Sequence, residues 1–541
     1  MKMTIYICGD STAASYTPEK APITGWGQVL GEFLPGVEII NHAFAGRSSK
    51  SFLAEGRLQP VEEHIRPGDL LLIQFTHNDR NPRPERHTNP DSTFPAYLSV
   101  YVETARSHGA TPVLMTPIPV RQFEDGQLVD THGAYPDAIR RLAKEKGVAL
   151  LEVTERAMRE LQEMGEAACK PMYMHFAAGL YPAYPDGSAD DVHTQLAGAR
   201  YYARITAEQL RAAGLVPPVY VVAQDGSGDF ASIQAAIDAA PAEGATVLLC
   251  PGVYHERVIV NKDKLHIVGE DAEKTVVTWS GCAKDIGPDG KEKGTFLSYT
   301  FLVTGEDVTV ENLTIRNDAG DGREVGQAVA VYAAGDRGVW RNVRMIAHQD
   351  TLFCGPTMPK VARDALPHVI PEGVPSVGDC PPVVGRQYFE NCFIQGDVDF
   401  IFGPYACWFE DCTLHMNERG GWYTAANTPE ENPHGFVFHR CRLTGECAPG
   451  AAYLGRPWRR FARTVFLHCE MDACVAPEGF QDWADKPVTN RCGEYDSFGP
   501  GAEASRRHPG QAMLTEAEAS LLTIETVLDG WQPSAGTGAR A

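Results

Sequence analysis

The chain has 541 residues, which is too long for a single hydrophobic core and predicts about two to four domains. Hydrophobic residues make up 43% of it and charged residues 22%, and no run approaches the roughly 18 apolar residues that span a membrane. The formal net charge of −22 argues against a nucleic-acid partner, which needs a basic surface. An acidic polymer would need a locally basic groove, and otherwise the charge predicts only solubility.

The N-terminal residues Met1–Asp10 predict a first β-strand rather than a signal peptide, because the apolar run is short and no small-residue cleavage site follows it. The 14 cysteines are then expected to be reduced thiols in a cytoplasmic protein. A leader removed beforehand would leave the same sequence, and the protein would then be secreted.

The first 215 residues alternate between short apolar runs and amphipathic stretches, which predicts a parallel sheet with helices on both faces. The predicted strands are Thr4–Cys8, Val37–Ile40, Leu70–Phe75, Pro112–Met115 and Val148–Leu151. The predicted helices are Trp26–Leu34, Tyr97–His108, Ala134–Lys146 and a closing helix with Leu196, Ala199, Ala203 and Leu210 on one face. A proline-containing linker is predicted at 216–219, so the first domain is 1–215.

The second predicted domain, 220–533, begins with one helix and continues as many short β-type segments. Ser232 is the predicted N-cap of that helix, and its apolar face is formed by Ile233, Ala236, Ile237 and Ala240. A Phe-x-x-Cys unit then recurs at 389–392, 409–412, 438–441 and 466–469, with earlier copies at 310–313 and 340–343 that have an aliphatic residue in the cysteine position. Repeats of about 20–30 residues without a repeated helix predict a parallel β-helix.

The spacing of the repeated cysteines bears on their role. Regular intervals without a Cys-x-x-Cys pair predict a buried ladder of small side chains rather than a metal or disulfide site. Residues 354–386 are rich in proline and predict a long surface loop. The last residues, 534–541, predict a flexible tail.

The tripeptide Gly9-Asp10-Ser11 follows the first predicted strand, which exposes its serine at the carboxyl edge of the sheet. A serine nucleophile needs a base, an orienting acid and oxyanion donors. His193 and Asp190, just before the last helix, are candidates for the first two, and the Gly46 backbone N–H and the Asn78 amide are candidate donors. Each block also occurs in ordinary turns, so the prediction depends on their order within one α/β domain.

Four blocks in residues 3–213 resemble those of SGNH (GDSL-type) hydrolases: 9–11, 41–48, 77–79 and 190–193. The segments 45–49 and 55–57 are similar to rhamnogalacturonan acetylesterases in particular. The resemblance implies a three-layer α/β/α fold with a flavodoxin-like parallel sheet, and removal of acetyl groups from pectic sugars. It also implies the site residues, which are the nucleophile Ser11, the triad partners Asp190 and His193, and the oxyanion donors Gly46 and Asn78.

Two aspartates of the second domain, Asp350 and Asp399, each stand among apolar residues. Burial would raise the pKa of both carboxyl groups unless a cation compensates, and Arg456 with the nearby Trp458 offers a cation and an aromatic wall. Ionised Asp399 could attack an ester carbonyl while protonated Asp350 gives its proton to the leaving alkoxide. A lone aspartate in a β-helix is more often a turn residue that caps backbone N–H groups. The candidate oxyanion donors are Gln327 and Gln349.

A series of blocks between 219 and 531 resembles the pectin methylesterases (pectinesterase family, carbohydrate esterase family 8): 225–230, 233–234, 252–256, 327–330, 349–353, 399–403 and 454–458. The resemblance implies a right-handed parallel β-helix and hydrolysis of galacturonate methyl esters without a metal or organic cofactor. It implies the roles of nucleophile for Asp399, acid and then base for Asp350, positioning cation for Arg456, oxyanion donors for Gln327 and Gln349, and groove wall for Trp458.

The two resemblances together predict a bifunctional pectin de-esterase that acts on pectic polysaccharide or oligosaccharide, with no nucleic-acid or membrane partner. For the first domain the alternative is another SGNH esterase, lipase or thioesterase, and Thr76 stands where such enzymes often have glycine. For the second, the alternatives are a pectin lyase or polygalacturonase, or a non-catalytic pectin-binding scaffold. The proline-rich segment 354–386 is absent from plant enzymes of this type, and we expect it to restrict long polymers.

Overall fold

The structure is a computed structural model, and it describes residues 3–34, 36–287, 290–357 and 385–533. Most of the predicted surface loop and all of the predicted tail lie outside the described residues, although the loop prediction also included Cys354, which ends a strand. The chain divides into two units, Met1–Val216 and Pro217–Ala541. Val216 packs in the core of the first unit and Val219 begins a strand of the second.

The first unit contains, within its described residues, a parallel sheet of five strands. Their spatial order is Glu38–Asn41, Thr4–Gly9, Leu70–Gln74, Thr111–Met115 and Ala149–Leu151. In chain order this is 2-1-3-4-5, the flavodoxin-like arrangement, and each strand agrees with its prediction to within one residue at either end.

Helices cover both faces of this sheet. Along the strand Thr4–Gly9, Ile5 and Ile7 belong to one buried core, whereas Tyr6 and Cys8 belong to a second core on the opposite face. The three-layer α/β/α prediction is therefore confirmed. The α-helices of the unit are Trp26–Val29, Ser49–Ala54, Gln59–His64, Thr93–Ser107, Tyr135–Lys146, Val153–Met164, Glu166–Cys169 and Leu196–Ala212.

Three helix predictions need correction. The helix predicted from Tyr97 begins earlier, at Thr93, and ends at Ser107. The stretch predicted as one helix from Trp26 is a short α-helix that continues as a 3-10 turn, Leu30–Phe33. In the closing helix Ala199, Ala203 and Leu210 are buried as predicted. Leu196 is 44% exposed, because it is the first residue of the helix and precedes the turns that pack on the core.

The second unit contains three parallel sheets in its described residues, and after the first turns successive strands of the chain join the sheets in rotation, which is the course of a parallel β-helix. The longest sheet has the strands Val219–Val222, Ala245–Leu249, Leu265–Gly269, Thr309–Glu311, Gly338–Arg341, Arg386–Glu390, Ala406–Glu410, Phe436–His439, Thr464–Leu467, Cys492–Tyr495 and Ala512–Met513. The second sheet has Gly252–His255, Thr275–Trp279, Thr314–Asn317, Arg344–Ile346, Phe393–Gly396, Thr413–Met416, Arg442–Gly445 and Glu470–Met471. The third sheet has Val258–Val260, Phe301–Val303, Val331–Ala333, Leu352–Cys354, Ile401–Gly403, Gly421–Ala426 and Ala452–Gly455.

The Phe-x-x-Cys repeat marks one corner of each coil. Phe389, Phe409 and Phe438 are paired in register, and their neighbouring ring centroids lie 4.5 and 4.4 Å apart. The residue before the cysteine has a positive φ, such as 53° at Asn391 and 52° at Asp411, a conformation that these two residue types tolerate. The buried ladder is confirmed in the cysteines Cys392, Cys412, Cys441 and Cys469, which are at most 1% exposed.

Short helices cover parts of the β-helix. In Ile233–Ala239 the Ser232 hydroxyl accepts a hydrogen bond from the N–H of Ala235, as the N-cap prediction requires, and the predicted face is buried. Near the C-terminus, Glu516–Ser520 and Ile524–Val527 bring apolar side chains onto the outer face of the longest sheet. The remaining helix of the described part is Gly322–Val325.

Candidate active sites

The first candidate site forms where the strand Thr4–Gly9 of the first unit ends. Ser11 stands two residues beyond that strand, and an antiparallel ribbon, Tyr173–Phe176 with Ser188–Thr194, brings His193 to it. The His193 Nε2 lies 2.9 Å from Ser11 Oγ, and its Nδ1 lies 2.7 Å from Asp190 Oδ2. The three residues therefore make the continuous hydrogen-bonded chain that activates a serine nucleophile.

The charges along these hydrogen bonds hold the imidazole of His193 in one orientation. Burial acts to raise the pKa of Asp190, but bonds from the His193 side chain and from the backbone N–H groups of Val192 and His193 lower it to about 2. Burial acts to lower the pKa of His193, yet the Asp190 carboxylate outweighs it and the pKa lies above its ordinary value. The neighbouring Asp191 is engaged elsewhere, by Arg121 at 2.6 Å and His175 at 2.7 Å.

The predicted oxyanion donors line the same cavity as Ser11 and His193, whose volume is about 520 Å³. Gly46 has a φ of 77°, a left-handed conformation that favours glycine. The structure thus brings together all five residues that the sequence assigned to this site. Thr76 is fully buried and does not line the cavity, so its difference from glycine leaves the cavity wall unchanged.

Arg86 belongs to this site, although no sequence pattern indicated it. Its Nη1 donates to Asn78 Oδ1 at 3.3 Å, and its guanidinium lies 3.5–3.8 Å from the point that a Cβ on Gly46 would occupy. A guanidinium only donates, so this contact fixes the amide of Asn78 with its oxygen toward Arg86 and leaves its N–H groups to bind another oxygen. Among the described residues, neither Arg86 nor the cavity-lining Lys20 has a carboxylate within ion-pair distance.

Asp79, the last residue of the sequence block 77–79, is bonded to Ser49, which directly follows the block 41–48. Its buried carboxylate accepts hydrogen bonds from the backbone N–H and the hydroxyl of Ser49 and from the Thr88 hydroxyl. Burial raises the pKa of Asp79 to about 7, although these bonds oppose the rise. Since Asp79 directly follows Asn78, this network supports the candidate oxyanion donor.

The second candidate site lies at the entrance to the third sheet of the β-helix. Asp350 and Asp399 stand two residues before the first residues of neighbouring strands, Leu352 and Ile401, which are paired in register. They therefore occupy the same position of consecutive coils, and adjacent parallel strands lie about 4.8 Å apart. Both have a positive φ, 67° and 52°, and the N–H of Asp350 donates to the Val398 carbonyl at 3.1 Å.

Arg456 reaches Asp399 from the end of the strand Ala452–Gly455. Its Nε donates to Asp399 Oδ1 at 2.8 Å and its Nη2 to Oδ2 at 2.7 Å. Its guanidinium carbon lies 3.6 Å from the ring centroid of Trp422 and 4.0 Å from that of Trp483. The two indoles hold the cation in place, and neither was indicated by the sequence.

The two aspartates differ in the balance of burial and charge. Burial raises the pKa of Asp399, and the hydrogen bonds and charge of Arg456 oppose that rise. Burial raises the pKa of Asp350 well above its ordinary range, and the neighbouring Asp399 adds to the effect. Asp399 therefore loses its proton before Asp350 does. Asp399 is the carboxylate and Asp350 the protonated acid, which is the division of roles that the sequence predicted.

The remaining predicted residues surround the two aspartates. Gln349 directly precedes Asp350, and its carbonyl accepts from the N–H of Ala328, next to Gln327. The side-chain amides of both glutamines are half-buried and make no hydrogen bond with any described residue, so they are able to bind a ligand oxygen. Trp458 is half-buried, with its ring centroid 6.0 Å from that of Phe402.

An aromatic row continues from Trp458 across the outer face of the third sheet. The ring centroids of Phe402 and Phe353 lie 4.8 Å apart, as do those of Phe353 and Tyr332. Phe296 closes the row at 4.9 Å from Phe353. These residues form a cluster separate from the interior of the β-helix, in which Tyr332, Phe353 and Phe402 are buried and Phe296 and Trp458 are half-buried.

Among the described residues, no group of three or more His, Cys, Asp or Glu side chains is placed to hold a metal ion. Within the same residues, every helix is too short or too polar to cross a membrane.

Profiles of two protein families match the sequence. The Pectinesterase family matches residues 219–357 and 383–531, and the GDSL-like Lipase/Acylhydrolase family matches residues 7–201. Both are families of ester hydrolases, and between them they cover both units.

Individual relatives match one unit each. The rhamnogalacturonan acetylesterase RhgT of Bacillus subtilis is 41% identical over 224 residues, which are 41% of this chain and 95% of RhgT. Pectinesterase 31 of Arabidopsis thaliana is 35% identical over 319 residues, which are 57% of this chain and 91% of that protein. Among solved structures, the pectin methylesterase from carrot is 29% identical and covers 57% of this chain and 93% of its own, with a TM-score of 0.47.

Proposed function

Because this chain belongs to the pectinesterase family through its second unit and to the GDSL-like lipase/acylhydrolase family through its first, we propose that it removes both acetyl and methyl esters from pectic sugars. The observation that carries the proposal is that one chain assembles two different ester-cleaving groups. These are the Ser11–His193–Asp190 chain and the Asp399–Arg456 pair beside Asp350.

In the first unit, His193 takes the proton of Ser11 as its Oγ attacks the acetyl carbonyl. The N–H of Gly46 and the amide of Asn78 bind the oxyanion that forms. The protonated imidazole, stabilised by Asp190, then gives its proton to the leaving sugar hydroxyl. Water attacks the acetyl-serine with His193 again as base, which releases acetate and restores the serine.

In the second unit, a carboxylate oxygen of Asp399 attacks the methyl-ester carbonyl of a galacturonate residue. The amides of Gln327 and Gln349 bind the oxyanion, and Asp350 gives its proton to the departing methoxide, which leaves as methanol. The resulting anhydride is cleaved by water, from which the ionised Asp350 removes a proton. This step returns Asp399 to the carboxylate form, held by Arg456, and leaves a free galacturonate.

The local charges support an acidic substrate in spite of the net charge of −22. Lys20 and Arg86 bring uncompensated positive charge to the cavity of the first unit. In the second unit the half-buried ring of Trp458, at the end of the aromatic row, gives sugar rings an apolar surface. RhgT carries the name of a rhamnogalacturonan acetylesterase, and the second unit's relatives are pectinesterases, which supports pectic sugars as the shared substrate class.

The proposal is tested with acetylated, methyl-esterified pectic oligosaccharides, by measuring acetate and methanol separately. We expect the chain to release both products. Faster cleavage of acyl-thioesters or lipid esters than of acetyl-sugars would contradict the assignment of the first unit. Binding without methanol release would contradict that of the second, and a new unsaturated product would identify it as a lyase.

A further inference from the structure

A third buried carboxylate, that of Asp397, lies beside the methyl-ester site and takes no part in the proposed chemistry. Asp397 is only 1% exposed and stands two residues before Asp399. Its Oδ1 accepts the N–H of Val398 at 2.7 Å, and its Oδ2 lies 3.0 Å from the Nδ1 of His348. His348 in turn stands two residues before Asp350, so each partner of this bond is tied to one of the reacting aspartates.

The two segments run side by side in consecutive coils. His348 and Asp397 stand four residues before the paired strand residues Leu352 and Ile401, and Asp350 and Asp399 stand two residues before them. The N–H of Asp397 donates to the His348 carbonyl at 2.9 Å, and the N–H of Asp350 donates to the Val398 carbonyl at 3.1 Å. The His348–Asp397 side-chain bond therefore adds a third connection at the base of the two reacting residues.

An ordinary turn does not account for this arrangement. A turn aspartate caps a backbone N–H group, and Oδ1 of Asp397 already does so. Its second oxygen is directed at His348, whose side chain is 38% exposed and is also reached by the Asn417 amide at 3.4 Å. Other charged groups near His348 are Asp321 and Arg323.

We propose that His348 and Asp397 form a positioning couple, which holds Asp350 and Asp399 at the separation that ester cleavage requires and keeps a negative charge beside Asp350. This inference rests on the proposed function of the second unit. It is supported by the charges: after burial and Asp399, the Asp397 carboxylate also raises the pKa of Asp350, against the opposing charge of Arg456. The bond to Asp397 likewise raises the pKa of His348.

The couple is tested with His348→Ala, His348→Asn and Asp397→Asn in the full chain. Small displacements of reacting groups cost up to about 100-fold in rate, so we expect His348→Ala to lower kcat for methanol release by about 10–100-fold with KM within about threefold. Asparagine retains an amide donor near the place of Nδ1, so His348→Asn should recover kcat to within about threefold of the parent.

Asp397→Asn separates positioning from charge. Without the carboxylate, Asp350 loses its proton more readily, so the alkaline limb of the methanol pH profile should move to lower pH. A matched control is His439→Ala, which removes a similar couple with Glu410, at 2.9 Å, on the longest sheet. We expect it to leave methanol release within about twofold of the parent.

Several outcomes distinguish this inference from the function on which it rests. A parent chain that releases no methanol overturns the proposed function itself. A parent that releases methanol, with His348→Ala and Asp397→Asn matching it in kcat and pH profile, overturns only the couple. Acetate release reports the amount of active chain, and a thermal melt reports folding of the second unit. If His348→Ala unfolds, the pH profile of Asp397→Asn decides, and an unmoved alkaline limb counts against the couple.

Discussion

Replacing Arg456 with methionine tests how the methyl-ester site keeps Asp399 ionised. Arg456 makes two hydrogen bonds, of 2.8 and 2.7 Å, to a carboxylate whose side chain is only 8% exposed. Hydrogen bonds to a charged group contribute about 1.5–3 kcal/mol each, so the pair favours the ionised form by about 3–6 kcal/mol. Losing these bonds therefore raises the pKa of Asp399.

The direction of the pH effect follows from that rise. Arg456 stabilises the carboxylate, so without it Asp399 takes up its proton at a higher pH. The acid limb of methanol release should therefore move to higher pH, and kcat at a pH within that limb should fall by up to about 100-fold, the factor that corresponds to the lower figure of about 3 kcal/mol. The kcat of Arg456→Lys should lie between those of the parent and the methionine variant. Lysine keeps the charge but cannot donate two parallel hydrogen bonds or lie flat between Trp422 and Trp483.

The assay is methanol release across a pH series, with acetate release by the same preparation as the reference for active chain. Acetate release should be unchanged, since Ser11 lies in the other unit. Methanol release by Arg456→Met at the parental rate, with an unmoved acid limb, would refute the role given to the ion pair.

Three other predictions concern the two units separately. Arg86→Met should lower kcat/KM for acetate release by about tenfold, because the oxyanion amide loses a charged partner worth about 1.5 kcal/mol, and steady-state kinetics with methanol release as reference would show it. Asp190→Asn should lower kcat for acetate release by about 10⁴-fold and lower the pKa of His193, which an NMR titration of the imidazole would detect as a shift to lower pH. Phe409→Ala should destabilise the second unit by about 3–5 kcal/mol in denaturant unfolding, since the ring is fully buried in a stack, whereas the 57% exposed Phe498→Ala should change it by less than about 0.5 kcal/mol.

The sequence predicted those parts of the fold that depend on local periodicity. Most strands of the first sheet are nearly continuous apolar runs because both faces are covered, although the edge strand Glu38–Asn41 is only partly buried, and the strand bounds were predictable to within one residue. The Phe-x-x-Cys repeat was readable because each coil places an inward aromatic, a left-handed turn residue and an inward thiol at fixed intervals. The end of a helix is less predictable: Leu196 fits the helical period but precedes the packed turns.

Within the sites, residues carried by a motif were predictable and residues brought in from other coils or loops were not. The sequence predicted that Arg456 is the cation beside Asp399, because each residue lies in a recognisable sequence block. Trp422 and Trp483 enclose Arg456 only because the coils that carry them stack around it, and single-sequence periodicity contains no information on that stacking. Arg86 lies in a polar loop without a repeat, so its approach to Asn78 depends on the tertiary fold.

The central claim is that one chain contains two independent ester-cleaving sites, and the most direct test measures acetate and methanol from the same acetylated, methyl-esterified oligosaccharide. The parent, Ser11→Ala and Asp399→Ala would be compared at equal protein concentration. We predict that Ser11→Ala loses acetate release and keeps methanol release, and that Asp399→Ala does the reverse. Loss of both products in either variant would contradict independence, and release of neither product by the parent would contradict the de-esterase assignment.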